Sequence, residues 1–200
     1  MTPQADTYDR ILQAARDLIY ARSYADVGVA AICEHARVKK GSFYHFFPSK
    51  QELTLAVLDT FFVDMKAGLL DQAFRPELPP LERLQQLGEL TYEFQARMKD
   101  MTGHVLGCPF GNLASELATQ DEAIRHKVSA IFEKFQSAIE LTLQQARDAG
   151  DLPATDVAAT AQAMLAYFEG AVLLAKTRNE PELLRQLLPA MTQIRIPAQH

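Results

Sequence analysis

Tryptophan is absent from the 200 residues, and runs of β-branched residues are rare. With leucine and alanine abundant, these absences leave little material for a sheet and predict an all-α chain. Cysteine occurs twice, as Cys33 and Cys108. Two distant thiols speak against a disulfide framework and fit a reducing, cytoplasmic compartment. The five histidines show neither H-x-x-x-H nor H-x-x-H spacing and have no cysteine at zinc-site distance, so no metal or other cofactor is expected. The first ten residues, MTPQADTYDR, lack the basic-then-apolar order of a secretion signal. The sequence also has no internal repeat and no low-complexity tract. An excess of positive charge is missing too: the formal net charge is -5, which taken alone argues against a nucleic-acid partner.

What is present reverses that last inference. The charge is unevenly placed: residues 1–50 carry seven Lys and Arg against five acids, and the remainder carries the whole acidic excess. A basic head on an acidic body suits a protein that reads a polyanion while limiting non-specific binding. A hydrophobic content of 48% is enough to bury a core in one or two domains.

The head centres on Val27 to Leu53. Val29, Ile32, Cys33 and Ala36 recur at helical spacing, and Gly28 is a serviceable N-cap. Ala36-Arg37-Val38 then separates this short helix from a second, Lys39 to His45, which is the arrangement of a helix-turn-helix. Lys39 and Lys40 oppose the dipole of the helix they open, a cost that makes sense beside a polyanion. Ser42, Tyr44 and His45 offer hydrogen bonds to phosphates or base edges, while Val38, Phe43 and Phe47 hold the helix down. Phe46 either packs or touches a thymine methyl. After Pro48, Ser49 and Glu52 spell a capping box, and Lys50 again sits where a phosphate would justify it.

The pieces Gly41-Ser42-Phe43-Tyr44-His45-Phe46-Phe47 and Pro48-Ser49-Lys50-Gln51-Glu52-Leu53 resemble the DNA-binding signature of the TetR family of bacterial repressors. The resemblance covers about the first quarter of the chain in detail. It departs at Gly28, where the family often has threonine, at Ser23, and at Arg37, which stands in place of a turn glycine. Arg37 therefore either loosens the turn or bears strain and meets a phosphate. The resemblance implies a DNA-contacting set of Arg37, Lys39, Lys40, Ser42, Tyr44, His45 and Lys50. Tyr44 and Lys50 would position the protein, and Lys39, Lys40, Ser42 and His45 would read sequence.

Ahead of this head, a first helix is expected from Tyr8 to Arg22, capped by Thr7, with Ile11, Leu12, Ala15, Leu18 and Ile19 on its inner face. A fourth helix should run from Lys50 to about Ala73, with Leu53, Val57, Phe61, Met65 and Leu69 repeating every four residues, before Pro79-Pro80 breaks the chain. The fifth carries Leu81, Leu84, Leu87, Leu90, Phe94 and Met98 on one stripe. Cys108-Pro109 opens a short sixth helix. The seventh, about Asp121 to Ala149, turns Ile124, Val128, Ile131, Phe135, Ile139 and Ala146 inward and stops at Gly150. Thr155 or Asp156 caps an eighth, to about Thr177, in which only Thr160, Gln162 and Glu169 are plainly polar before Ala175. A membrane span fits its length, but its polar residues and alanine content favour burial on more than one side within protein. The ninth, from Pro181 to Thr192, offers Leu184, Leu187, Leu188 and Met191 to the same surface. The family resemblance implies a homodimer through these last two helices, with Ala171 on the interface.

The organisation expected is a three-helix helix-turn-helix domain over residues 1–52 and a larger helical effector-binding and dimerisation domain over 53–200. The resemblance implies a small apolar or aromatic effector in the body, lined by Phe61, Met65, Phe94, Met98, His104, Cys108, Phe110, Asn112, Phe135 and Phe168. Most of these aromatics and methionines read equally as core. Tyr92, Glu116 and Tyr167 add polar candidates. Cys108 falls at the N-cap position of the sixth helix, where a thiolate is favoured, and His104 lies close by in sequence. It reads either as a sensor of reactive electrophiles or as a small buried apolar residue. The function implied is a ligand-responsive repressor on a palindromic operator. The alternatives are an effector-independent DNA-binding protein, or an enzyme using Cys108, His104 and Glu116, for which no motif speaks.

Overall fold

The computed structural model describes residues 3–198. Its helices are α1 (Pro3–Ala21), α2 (Val29–Ala36), α3 (Lys40–Phe46), α4 (Lys50–Met65), α5 (Pro80–Thr102), α6 (Pro109–Leu117), α7 (Glu122–Asp148), α8 (Val157–Arg178) and α9 (Glu182–Leu187). A π-helical turn (Lys66–Leu70) and one more α-turn (Asp71–Ala73) extend α4, and a 3₁₀ turn (Leu188–Gln193) extends α9. The chain is all-α, as its composition predicts. It divides into two compact units: residues up to Val63 with Pro109–Ser129, and Asp64–Cys108 with the residues from Ala130 onward.

In the first unit, α1 buries Ile11, Ala15 and Ile19 of the expected stripe, with Ala14 in addition, while Leu12 and Leu18 of that stripe are half-buried. Ile32, Phe43, Leu53, Val57, Leu58, Phe110 and Ile124 are all fully buried, each contributing about 2 kcal/mol of apolar transfer. Helix α1 begins at Pro3, so Thr7 lies inside it rather than at its cap, and its hydroxyl accepts a hydrogen bond from Arg10 at 3.4 Å. Ser49 does cap α4: its hydroxyl accepts the Glu52 N–H at 3.1 Å. Asp121, placed inside α7 by the spacing argument, is instead its cap and accepts the Ile124 N–H at 3.0 Å.

The turn after α2 stays tight despite the missing glycine. Arg37 takes the left-handed conformation, φ 54° and ψ 48°. The Val38 N–H then reaches Cys33 O at 2.9 Å, and the Arg37 N–H reaches Glu34 O at 3.1 Å, so the last carbonyls of α2 are satisfied.

In the second unit, α7 presents Ile131, Phe135, Ile139, Leu143 and Ala146 to the interior. Helix α8 is capped by Asp156, whose carboxylate accepts the Ala159 N–H at 3.0 Å. It buries Val157, Thr160, Ala161, Met164, Phe168, Ala171, Val172 and Ala175 within the protomer, while Leu173 and Leu174 stay 61% and 47% exposed. Ala171 therefore belongs to the protomer's own core, and not to an outward face.

Three readings of periodicity fail here, each for a physical reason. The π turn inserts an extra residue per turn, so Leu70 is buried where a four-residue repeat selects Leu69. On α5 the interior takes Thr91 and Gln95, while Phe94 is 41% exposed. Their polar groups are satisfied internally: Thr91 donates to Leu87 O at 2.7 Å, and Gln95 bonds a peptide group. Leu184, Leu188 and Met191 pack inside the protomer, against α5 and α8, and leave Leu187 as the partly exposed member of that set. Gly88 permits that packing, since a Cβ there would lie 3.1 Å from the Leu188 Cβ.

Candidate nucleic-acid interface and thiol site

Helix α3 is short and polar at its surface, and seven residues cannot hold a helix alone. Its aromatic underside holds it. Phe43 is fully buried, and Phe47 stacks on Tyr8 of α1 at 4.9 Å. Phe46 meets Tyr8 edge-on at 6.0 Å, so it packs, though half of it remains open. Above this base the opposite face is solvent. Lys39 is the N-cap, with Lys40 first in the helix, and both are exposed together with Tyr44 and His45. Tyr44 stands 48% exposed, steadied edge-on by Phe43 at 5.1 Å. The Lys40 ammonium lies 5.9 Å from the centre of its ring. Ser42 is half-buried and Arg37 exposed. The two lysines, the phenol and the imidazole thus form one fixed, hydrogen-bonding, positively charged face.

Lys50, expected beside a phosphate, is engaged within the protein. Its ammonium donates to the Tyr24 carbonyl and lies 3.7 Å from the centre of the Tyr24 ring, and burial holds its pKa below the usual lysine range. Glu116 completes this corner. Its carboxylate accepts the Tyr24 N–H at 2.9 Å and the Ala25 N–H at 2.6 Å. Expected among effector groups, or as an enzyme's orienting residue, Glu116 has both oxygens committed to the loop between α1 and α2. Two more contacts tie the α6–α7 segment to α4: Gln51 donates to Asp121 at 2.7 Å, and Lys127 pairs with Asp59 at 2.5 Å.

The residues expected to line an effector site fall in both units. Phe61, Phe110 and Asn112 lie in the first; Met65, Phe94, Met98, His104, Cys108, Phe135 and Phe168 lie in the second. Phe61 packs against Tyr20 at 5.3 Å and beneath the Arg16 guanidinium at 4.9 Å. Phe110, Phe135 and Phe168 are buried, Met65 and Met98 half-buried, and Asn112 half-buried. Tyr92 donates to Glu182 at 2.8 Å, and Tyr167 donates to Leu187 O at 2.9 Å.

Around Cys108 the second unit builds a defined site. The segment that leads to the thiol is held at two peptides. Gln95 donates to Gly107 O at 2.9 Å and accepts from Gly107 N at 3.0 Å. Asn179, itself in the left-handed conformation after α8, accepts from Val105 N at 2.7 Å and donates to Gly103 O at 3.0 Å. Both side-chain amides present donor and acceptor together, so each fixes backbone position and direction. Cys108 then stands half-buried just before Pro109, the first residue of α6. Its thiol donates a hydrogen bond to the Glu169 carboxyl. Glu169 as a residue is half-buried, but its carboxyl is out of water; that burial pushes it up to about 7 against the opposing pull of the thiol. Lys176, two turns along α8, is lowered by burial and raised by a negative Cys108. His104, expected to assist the thiol, is exposed. Glu169 and Lys176 are the groups that sequence reasoning missed. The signal was available for one of them: Glu169 is the sole carboxylate within α8. Cys33 is buried, which raises its pKa and fits packing.

Two family models match the chain. Residues 11–57 match the N-terminal model of bacterial regulatory proteins of the tetR family, and residues 80–191 match a tetracyclin repressor-like C-terminal domain. The transcriptional regulator AcuR of Cereibacter sphaeroides is 35% identical over 182 residues, which cover 88% of this chain and 80% of AcuR. The transcriptional repressor DhaR of a Mycobacterium species is 27% identical, covering 94% of this chain and 91% of DhaR. Among solved structures, a regulatory protein TetR from Rhodobacter sphaeroides superposes with a TM-score of 0.84 at 31% identity, covering 95% of this chain and 99% of that one.

Proposed function

The chain belongs to the TetR family of bacterial transcriptional regulators, and from that premise we propose that it is a cytoplasmic, ligand-responsive repressor that binds a partly palindromic operator as a homodimer. The observation that carries this reading is the α3 face. Lys39, Lys40, Tyr44 and His45 are exposed together on a helix whose aromatic underside fixes its position. Arg37 and Ser42 extend that face, and Lys50 steadies the corner behind it while remaining close to the helix start where a phosphate would lie. Dimerisation through α8 and α9 is supported by Leu173, Leu174 and Leu187, apolar side chains left open by the protomer. A two-fold dimer presents two recognition helices, which is why the operator should be palindromic.

The effector in this reading is a small apolar or aromatic molecule, reactive toward Cys108, that binds the operator-free state better and so releases DNA. The cluster of Cys108, Glu169 and Lys176 favours a reactive effector over an inert one. Titration of the purified protein against a fragment of its own promoter region tests the DNA part: a sequence-specific, salt-dependent shift is expected, and binding indifferent to sequence would overturn it. Adding a thiol-reactive compound to that complex, with wild type and Cys108→Ser side by side, tests the effector part. Equal release from both proteins removes Cys108 from the reading.

A further inference from the structure

The two exposed rings of α3 are supported differently. Tyr44 has the buried Phe43 edge-on at 5.1 Å and the Lys40 ammonium 5.9 Å from its ring centre. His45 is exposed, and the residue one turn before it, Gly41, has no side chain to steady it. A Cβ at Gly41 would meet nothing within 4 Å, so that flank is open space. Among the described residues no hydrogen bond, ion pair or second ring reaches the imidazole. What it meets is the Phe46 ring, edge-on at 4.9 Å and 76°. Phe46 is half-open, and its other ring partner is Tyr8 of α1, edge-on at 6.0 Å and 77°. Tyr8 is fixed in its turn, stacked on the buried Phe47 at 4.9 Å and 27°.

We infer that Tyr8 is a positioning residue for sequence readout: through Phe46 it holds the His45 imidazole in the orientation that meets a base edge. The inference rests on the reading of His45 as a base-contacting group. It adds to that reading a residue from α1, outside the helix-turn-helix.

The physical argument is one of preorganisation. An exposed imidazole samples several rotamers, and only some of them point a ring nitrogen at a base. Freezing it on binding costs affinity unless a contact within the protein has already selected the rotamer. Aromatic faces are electronegative and edges electropositive, so an edge-to-face pair selects a ring angle, which an aliphatic contact of equal area does not. Here one stacked pair and two edge-on pairs run in series, Phe47 to Tyr8 to Phe46 to His45. The orientation of Phe47, set by the core, is passed ring by ring to the surface. An aliphatic side chain in place of Tyr8 fills the space but leaves the half-open Phe46 free to turn, and His45 with it. Tyr44 is oriented by Phe43 and Lys40, outside this series. Loss of Tyr8 therefore has a distinct signature: discrimination between sequences falls, while the affinity that comes from phosphate contacts stays.

The test is competition binding with the shifted fragment of the protein's own promoter region, its single-base variants, and unrelated DNA of equal length. His45→Ala identifies the base pair read by His45 as the one at which preference is lost. At that pair Tyr8→Leu should lose about fivefold of the discrimination. Its affinity for unrelated DNA, which reports a folded head, should stay within about twofold of wild type. Tyr8→Phe keeps the ring and should keep the discrimination. In the His45→Ala background Tyr8→Leu should cost nothing more at that pair. Unchanged discrimination in Tyr8→Leu would overturn the inference, as would equal weakening on operator and unrelated DNA, which is the behaviour of a brace alone. Additive losses in the double variant would overturn it too, since Tyr8 would then act by another route than His45. Preference kept in His45→Ala removes the reading of His45 and the inference together. Preference lost in His45→Ala but kept in Tyr8→Leu removes the inference and leaves the reading.

Discussion

The Glu116 carboxylate accepts the Tyr24 N–H at 2.9 Å and, beside it, the Ala25 N–H at 2.6 Å, so a side chain of α6 caps the loop that leads into the reading helices. Lys50 closes the same corner from the other side through the Tyr24 carbonyl. A peptide held at both its N–H and its C=O neighbours cannot drift, and neither can α2, which follows it.

Removing the clamp should loosen the head. Glu116→Ala leaves two backbone donors without their charged acceptor, at a cost of about 1 to 2 kcal/mol. Amide hydrogen exchange should speed up at Tyr24 and Ala25, and operator affinity should fall. Unchanged exchange at those two amides would refute the clamp.

At Arg37 stability and binding should move in opposite directions. A non-glycine residue in the left-handed region is strained by roughly 1 kcal/mol, so Arg37→Gly should raise the melting temperature. The same change should weaken operator binding and flatten its salt dependence, if the side chain meets a phosphate. Tighter or equal binding would leave Arg37 a turn residue alone.

On α3, Lys39→Ala and His45→Ala should change preference among operator variants, whereas Tyr44→Phe should weaken all sequences alike. Competition binding against single-base variants separates these outcomes. Lys50→Ala should also lower thermal stability, since its ammonium holds the Tyr24 carbonyl.

For the dimer, the residues to change are the open ones. Leu173→Glu should yield monomers that remain helical, read by sedimentation and circular dichroism together. Ala171→Glu should instead unfold the protomer, because it places a charge in the interior. Stable dimers of Leu173→Glu would move the interface elsewhere.

The pH dependence of stability should carry the mark of Glu169. Its carboxyl, raised by burial to about 7, binds a proton more tightly folded than unfolded. That contribution is fully present below the unfolded value near 4.5 and is lost as pH rises through 7, amounting to roughly 3 kcal/mol at most. Urea unfolding should show wild type losing stability over that window, and Glu169→Gln losing much less.

The sequence by itself determined what neighbours along the chain decide. The all-α character, the inner stripe of α7, the Ser49 cap and the exposed face of α3 follow from a 3.6-residue period and from contacts a few residues apart. Tertiary structure decided what depends on distant partners. Gln95 could displace Phe94 from the interior only because the Gly107 peptide lies opposite it. Glu116 reads in sequence as a free carboxylate and becomes a backbone clamp only once the Tyr24 loop reaches it. Cys108 could be placed before α6 from the position of Pro109, yet Glu169 and Lys176, the groups it meets, are connected to it by no spacing. A pattern of apolar residues reports which face goes inward, but a buried polar group is stable only with its partner, and that partner is chosen by the fold.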